Sequence, residues 1–535
     1  MKYSSINLIS SFGTKMFVMG LGKVGKTSLI NSLFPLEHPK KINHELINSR
    51  DVHQDIFNPQ YDGQKNAKIS YKIWDFPGTK NSFNFLHLYS VNMRTILLLL
   101  WNPSTKNGRK NLKNSLKKLK KYFPEKETIP VQILFSILII ATQRKGNEDL
   151  SQIVSQIASK IEFNVDYQIL DVNLNEKMSI ENLKRKIQET ALTHSYMGES
   201  YPEDLTTIQA NIDKYKKEQK QNSNIIPLQE ISTKNQIMSR TNGNLNPFPK
   251  KRPLALREMS NDFFSSEDET DQQENGSLNL SPSLEFQQSL GRCFYFPRCN
   301  KPFLILEPHE IANKILKYFG KDFLTKLKED IIEKDLPFIY SALESFDMIL
   351  IDKDQPIIPL FVLEMRNRLN SNLDQSLSKV ITFDELPDEL FNSILVRVCR
   401  RKETNFQIQE MENTQNNQRK MISIKIEDND TMSLGSEMEK ILTEIQISLS
   451  AFPGLDYKEV IQCSDCHQVI EFDSTMLKIG PNKSIYLEQG SHNDINCHYQ
   501  YLDCHGKSHQ CKKDFASLLG EETSNLFVYI FNFKF

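Results

Sequence analysis

The chain has no excess of either charge. Its 66 Lys and Arg residues nearly cancel 67 Asp and Glu, leaving a formal net charge of −1. Nucleic-acid binders usually carry a positive footprint, so composition argues against that class. Long hydrophobic runs are missing too. The longest, "TILLLLW" (95–101) and "ILFSILIIA" (133–141), fall well short of the roughly 20 residues that cross a bilayer, and read instead as buried parallel strands. "MKYSSINLISS" at the start lacks a sustained apolar stretch followed by a small-residue cleavage site, so no secretory signal and a cytoplasmic location are expected. Eight cysteines in 535 residues make no disulfide scaffold, and their clustering toward the end points to metal chemistry in a reducing compartment.

The length predicts two or three domains. From Lys15 to about Ala191, apolar runs at "KMFVMG", "KISYKIWDF", "TILLLLW", "VQILFSILIIAT" and "VDYQILDV" alternate with helical stretches such as "GKTSLINSLF", "NLKNSLKKLKKYF" and "SIENLKRKIQETAL". That alternation predicts a doubly wound α/β domain with a mostly parallel sheet. Between about Lys216 and Ser283 the composition turns polar, too poor in apolar surface to offset chain entropy, and a disordered insertion is expected, with "NIIPLQEI" docking locally. Order returns near Leu284. A further block starts at "FDELPDELFNSILVRVCRR" (383–401), where the alternation of Ile394, Val396 and Val398 predicts a half-buried strand.

The strongest signal is Gly20-Leu21-Gly22-Lys23-Val24-Gly25-Lys26-Thr27-Ser28, which fits G-x-x-x-x-G-K-[ST] between an apolar strand and an amphipathic helix. Glycines let the backbone curl so that its N–H groups converge on phosphate, helped by the positive end of the helix. Lys26 supplies counter-charge to the β and γ phosphates and the Thr27 hydroxyl a ligand for Mg²⁺. Downstream, "YKIWDFPGTKN" places Asp75 at a strand end, to hold the magnesium shell, and Gly78 where its N–H can reach a γ-phosphate. The D-x-x-G pattern is weak alone; beside the phosphate loop it favours a GTPase over a general ATPase.

These two motifs resemble the Ras-like Roc domain, with the Rag GTPases as near relatives. The stretches that follow, "HSYMGESYPEDL", "SLGRCFYF", "LILEPHEIANKIL", "DLPFIYSALESFDMIL", "IIPLFV" and "ELPDELFNSILVRVCR", resemble the COR module of Roco proteins in their order. The resemblance implies an α/β P-loop NTPase domain (Roc, 14–196), a linker or start of COR (197–217), a disordered insertion (218–283), and a mixed α+β COR domain in two halves (284–375 and 380–535). It also implies GTP or GDP with Mg²⁺ as ligands, slow hydrolysis, a signalling switch, homodimerisation through COR and unidentified effector proteins. The leucine-rich repeats and kinase domain of some relatives are not in this sequence, which has no kinase signature motifs.

Several positions depart from the family pattern. Guanine is read in Roco proteins by the aspartate of T-H-x-D, and here the aligned residues are Thr142-Gln143-Arg144-Lys145. A lysine has only donors and cannot accept the two bonds from guanine. Thr79 stands where the water-orienting glutamine is expected, no catalytic residue is assigned, and Ser49 is the best substitute for the switch threonine as a Mg²⁺ ligand. Two alternatives therefore stay open: a pseudo-GTPase scaffold, and an ATP-binding P-loop protein.

Near the end, Cys463 and Cys466 form a C-x-x-C pair, with Cys497 and Cys504 in a second cluster; together they could supply four ligands to a structural Zn²⁺, and read equally well as cysteines without metal. Cys293, Cys299 and Cys399 read as packing residues. Leu112, Leu116, Leu119 and Phe123 define the buried face of a surface helix with a basic outer face. "PKKRP" (249–253) reads as a solvated tract, and Ser265 and Ser266 in an acidic context as phosphorylation targets.

Overall fold

The computed structural model describes residues 8–35, 45–56, 68–89, 94–124, 134–144, 148–202, 204–218, 224–228, 281–299, 301–353, 355–362, 375–401, 405–412, 420–428, 431–462, 469–471, 477–479, 485–487, 501–504 and 507–510. The chain divides into two compact units, Met1–Phe346 with Ala451–Gly454, and Asp347–Ser450 with Leu455–Phe535.

The first unit begins with β1 (Leu8–Ser11) and β2 (Gly13–Met19), then α1 (Lys26–Leu33), β3 (Asn48–Asp55), β4 (Lys68–Asp75), β5 (Thr95–Trp101), α2 (Gly108–Lys120), β6 (Phe135–Thr142), α3 (Leu150–Ser159), β7 (Tyr167–Val172), α4 (Lys177–Leu192) and β8 (Glu199–Pro202). Strands β3-β4-β2-β5-β6-β7 form one six-stranded sheet, parallel apart from β3, which runs antiparallel to β4. The long apolar runs are indeed its central strands: every residue of β2 and β5 is buried, as parallel strands covered on both faces should be. Met16, Val18, Ile73, Leu98 and Leu138 share one core with Leu29 and Ile30 of α1 and Leu183 and Ile187 of α4. Strand alternation sends Phe17 and Trp74 to the opposite face, where they meet Phe76 and Tyr89.

That aromatic face is covered by chain from beyond the α/β domain. After α5 (Asp204–Glu218) and β9 (Ile225–Pro227) come α6 (Ser281–Ser289), β10 (Phe294–Phe296), β11 (Phe303–Ile305), α7 (Pro308–Tyr318), α8 (Phe323–Asp330) and α9 (Leu336–Ser345). The "NIIPLQEI" segment docks as β9 against β11, with Ile226 fully buried, while residues 229–280 of the expected insertion lie outside the described residues. Tyr89 stacks on Phe294, Trp74 meets His309 edge-on, and the Arg292 guanidinium donates to Ser70 Oγ at 2.6 Å.

The second unit carries β12 (Leu350–Asp352), β13 (Gln355–Ile357), β14 (Gln375–Phe383), α10 (Asp388–Arg400), β15 (Phe406–Glu412), β16 (Lys420–Asp428), α11 (Thr431–Ser450), β17 (Tyr457–Gln462) and β18 (Val469–Glu471), with a five-stranded antiparallel sheet ordered β15-β16-β14-β17-β18. Here one expectation is corrected. Ile394, Val396 and Val398, whose alternation predicts a half-buried strand, lie instead in the helix Asp388–Arg400. Leu395, between them, and Cys399, just beyond, are buried as well, so the alternation marked no face. Asp388 and Glu389 in its first turn and Arg397 and Arg400 in its last complement the helix dipole.

Candidate nucleotide site

Residues 20–28 form the turn between β2 and α1. Gly20 (φ +141°) and Gly25 (φ +91°) take conformations that L side chains avoid, and a Cβ on Gly20 would run into the Leu100 carbonyl oxygen. Lys26 opens α1 and is buried. Its Nζ donates to the Gly20 carbonyl at 2.8 Å and to that of Leu21 at 3.4 Å, which arches it over the loop. Burial lowers its pKa and the Asp75 carboxylate opposes that shift, so an arriving phosphate would favour the charged form. Leu21 and Val24 flank the crown, where Lys23 is exposed with φ +65°; Ser28 is exposed on the first turn of α1.

The Thr27 hydroxyl donates to Asp75 Oδ2 at 2.7 Å, although 48 residues separate the two. A hydroxyl beside a buried carboxylate is a hard-oxygen donor set that suits Mg²⁺. Gly78 packs directly on the loop: a Cβ there would lie 2.5 Å from Gly22 Cα and 2.6 Å from its nitrogen. The structure thus brings Gly20, Gly22, Gly25, Lys26, Thr27, Asp75 and Gly78 together. Ser49 is not brought to Asp75. It is paired with Trp74 in the β3–β4 ladder and so shares Trp74's face, and its Oγ lies 3.0 Å from His309 Nδ1. Thr79 Oγ1 is engaged with Ser82 Oγ at 2.9 Å.

At the end of β6, Thr142 Oγ1 donates to the Val24 carbonyl at 2.8 Å and so ties that strand to the phosphate loop. Gln143 Oε1 accepts from Asn102 Nδ2 at 2.7 Å, and Arg144 donates to Asp171 Oδ2 at 2.7 Å and to the Glu148 carbonyl at 2.6 Å. Lys145 lies outside the described residues. Other neighbours were not singled out from the sequence. Arg50 donates to the Ile30 carbonyl at 2.6 Å; burial lowers its pKa and Asp75 raises it. Leu174 Cδ1 lies 2.7 Å from where a Gly25 Cβ would be. A cavity of about 330 Å³ separates Leu21–Val24 from the start of α2, with Asn111 and Ser115 in its wall. Only register and tertiary packing reveal such residues.

Among the described residues no group of three or more His, Cys, Asp or Glu side chains could hold a metal ion. Cys463, Cys466 and Cys497 lie outside the described residues, and Cys504 is placed only by its backbone in the strand Tyr501–Cys504, so the zinc expectation falls outside what the structure describes. Cys293 and Cys399 are buried, and burial pushes the Cys293 thiol up to about 12. No helix among the described residues is long and apolar enough to cross a membrane.

Comparison with known proteins bears on these residues directly. The model of the family described as "Ras of Complex, Roc, domain of DAPkinase" matches residues 15–134, the stretch that carries the phosphate loop, Asp75 and Gly78. Among solved structures, Methanosarcina barkeri Roco2 RocCORdC bound to GDP is similar at 16% identity and a TM-score of 0.41, covering 67% of this chain and 98% of that one. The Arl6 BBS3 small GTPase from Trypanosoma brucei, with bound nucleotide analogue GppNp, is similar at 15% identity and a TM-score of 0.27, covering 34% of this chain and 99% of that one. No curated protein matches. On the family match and the residues inside it, this chain carries a Roc domain, as its sequence motifs lead one to expect.

Proposed function

We propose that this chain is a Roco-type guanine-nucleotide-binding protein, an intracellular switch in which Mg²⁺ and nucleotide occupy the loop between β2 and α1. The observation that carries this reading is the contact of Thr27 with Asp75 beside a buried Lys26, inside the Roc match. Magnesium, when bound, would neutralise phosphate charge. The chain's own groups divide the remaining work: loop N–H groups and Lys26 hold the phosphates, Thr27 and Asp75 hold the ion, and Gly78 senses a terminal phosphate. Hydrolysis is slow in this reading, because the Thr79 hydroxyl is short and already occupied by Ser82. Homodimerisation through the COR-like part and contact with effector proteins follow from the Roco resemblance, and sedimentation of the full chain with and without nucleotide tests the former.

The decisive experiment is titration of the full chain with fluorescent GDP, GTP and ATP analogues, with and without Mg²⁺. Magnesium-dependent guanine binding that excess ATP does not displace is expected, and Lys26→Ala should abolish it while the melting profile of the second unit stays unchanged. Equal affinity in the variant sinks the assignment. A second reading has its own support: Gln143 is occupied by Asn102, Arg144 by Asp171, and Lys145, at the position of the guanine-reading aspartate, has donors only. A site that holds phosphates without choosing the base would show equal displacement by ATP. A pseudo-GTPase scaffold would show no binding at all.

A further inference from the structure

Helix α7 sets two polar side chains, His309 and Asn313, one turn apart on the same face. Asn313 grips a single residue of the α/β domain by its main chain. The Ile47 N–H donates to Asn313 Oδ1 at 2.6 Å, and Asn313 Nδ2 donates back to the Ile47 carbonyl at 3.0 Å. A neighbouring strand would satisfy a residue in the same paired way. Ile47 is buried, so water is a poor substitute for either bond. Two residues on, His309 Nδ1 lies 3.0 Å from Ser49 Oγ and 3.3 Å from Glu307 Oε2, and its ring stands edge-on to Trp74. Burial alone would raise the Glu307 pKa. The His309 hydrogen bond, then Lys216 and Lys72, bring it down to about 2, so a full negative charge backs the imidazole.

Strand register carries this grip to the magnesium carboxylate. Ser49 pairs with Trp74 and Asn48 with Asp75, so residues 47–49 run beside the end of β4, and Asp75 in turn accepts from Thr27. We infer that Asn313 and His309 are positioning residues of the nucleotide site: α7 fixes the backbone at Ile47–Ser49 and, through the β3–β4 ladder, the carboxylate of Asp75 against Thr27. Both act through the backbone of Ile47–Ser49, and together they set how long nucleotide and ion stay. The inference rests on the nucleotide-binding reading above.

The test uses the full chain and two readouts. Hydrogen exchange at Ile47–Ser49 reports the grip with no nucleotide present, and release of a fluorescent GDP analogue across a Mg²⁺ series reports its effect on the site. Asn313→Ala keeps a half-buried helix position helical. It should raise exchange at the Ile47 amide and speed nucleotide release, each by roughly tenfold, the scale set by losing shielded hydrogen bonds. Exchange in β5 and β6 should not move, which a general loosening of the fold would not allow. Asn313→Asp still accepts from the Ile47 N–H but sets a carboxylate against the Ile47 carbonyl, and it should speed release too. His309→Ala and Ser49→Ala should be non-additive in release rate because they remove the same contact; additive effects overturn the His309 half of the inference. Unchanged exchange at Ile47 in Asn313→Ala overturns the grip, and changed exchange with unchanged release overturns its link to the site. A wild-type chain that binds no nucleotide defeats the parent reading instead, and the exchange readout tells the two failures apart.

Discussion

Gly78 has no room for even a methyl group, and the atoms in its way are the backbone of Gly22 rather than the end of a flexible side chain. Gly78→Ala must therefore push the turn after β4 off the phosphate loop, at a cost of about 1–3 kcal/mol by the usual scale of overpacking. If Gly78 senses the terminal phosphate, that cost falls mainly on GTP. Titration should show GTP affinity reduced by roughly tenfold, with GDP affinity changed much less; equal losses would mean that Gly78 only packs. At this scale the sequence was most legible where spacing along the chain carries the chemistry. Residues 20–28 announce a phosphate loop because the turn, the lysine and the hydroxyl are contiguous. Ser49 was harder to judge because a strand residue's direction depends on its register, and its pairing with Trp74 turns its hydroxyl toward His309. Arg50 and Leu174 gave no local signal, since their roles come from packing against α1 and Gly25.

Elements of the α/β domain are joined away from the loop by a buried hydrogen-bond chain. Ser136 Oγ on β6 lies 2.8 Å from His194 Nε2, His194 Nδ1 lies 2.6 Å from the Tyr196 hydroxyl, and that hydroxyl lies 2.9 Å from Thr14 Oγ1 on β2. His194 is 2% exposed, and burial brings its pKa down to about 4 from the ordinary 6.5. Between those values the unfolded chain takes up a proton that the folded chain refuses. Stability from this group is thus fully present above about pH 6.5 and is lost as pH falls toward 4, by on the order of 2–3 kcal/mol. Urea melts from pH 7 to 4 should show that decline, and His194→Gln should flatten it; an unaltered slope in the variant would assign the acid sensitivity elsewhere. The domain's order of strands and helices was readable because its buried strands are continuous apolar runs. Helix α10 was misread for the related reason that burial on nearly all sides erases periodicity, so its charged ends were the better guide.

At the scale of the whole chain, four residues join the first unit from far along the sequence. Ala451–Gly454 belong to the first unit although the chain on either side belongs to the second. Phe452 is 2% exposed, with its ring 4.8 Å from His87 and 5.6 Å from Tyr122. The Gly454 N–H donates to the Lys121 carbonyl at 3.2 Å, and a Cβ on Gly454 would collide with the carbonyls of Lys120 and Phe123. Nothing in "AFPG" signals this from sequence, because its partners lie more than 300 residues earlier and no repeat or period links them. A buried phenylalanine cut to alanine costs about 3–5 kcal/mol. Phe452→Ala in the full chain should remove that much from the first unit, seen as faster hydrogen exchange in α2 with β14 and β16 unaffected. A fragment ending at Phe346 lacks the strap altogether, so it should show at least the same loss of protection in α2. If fragment and full chain protect α2 equally, the strap contributes nothing to stability; if Phe452→Ala instead loosens β14 and β16, those four residues serve the second unit rather than the first.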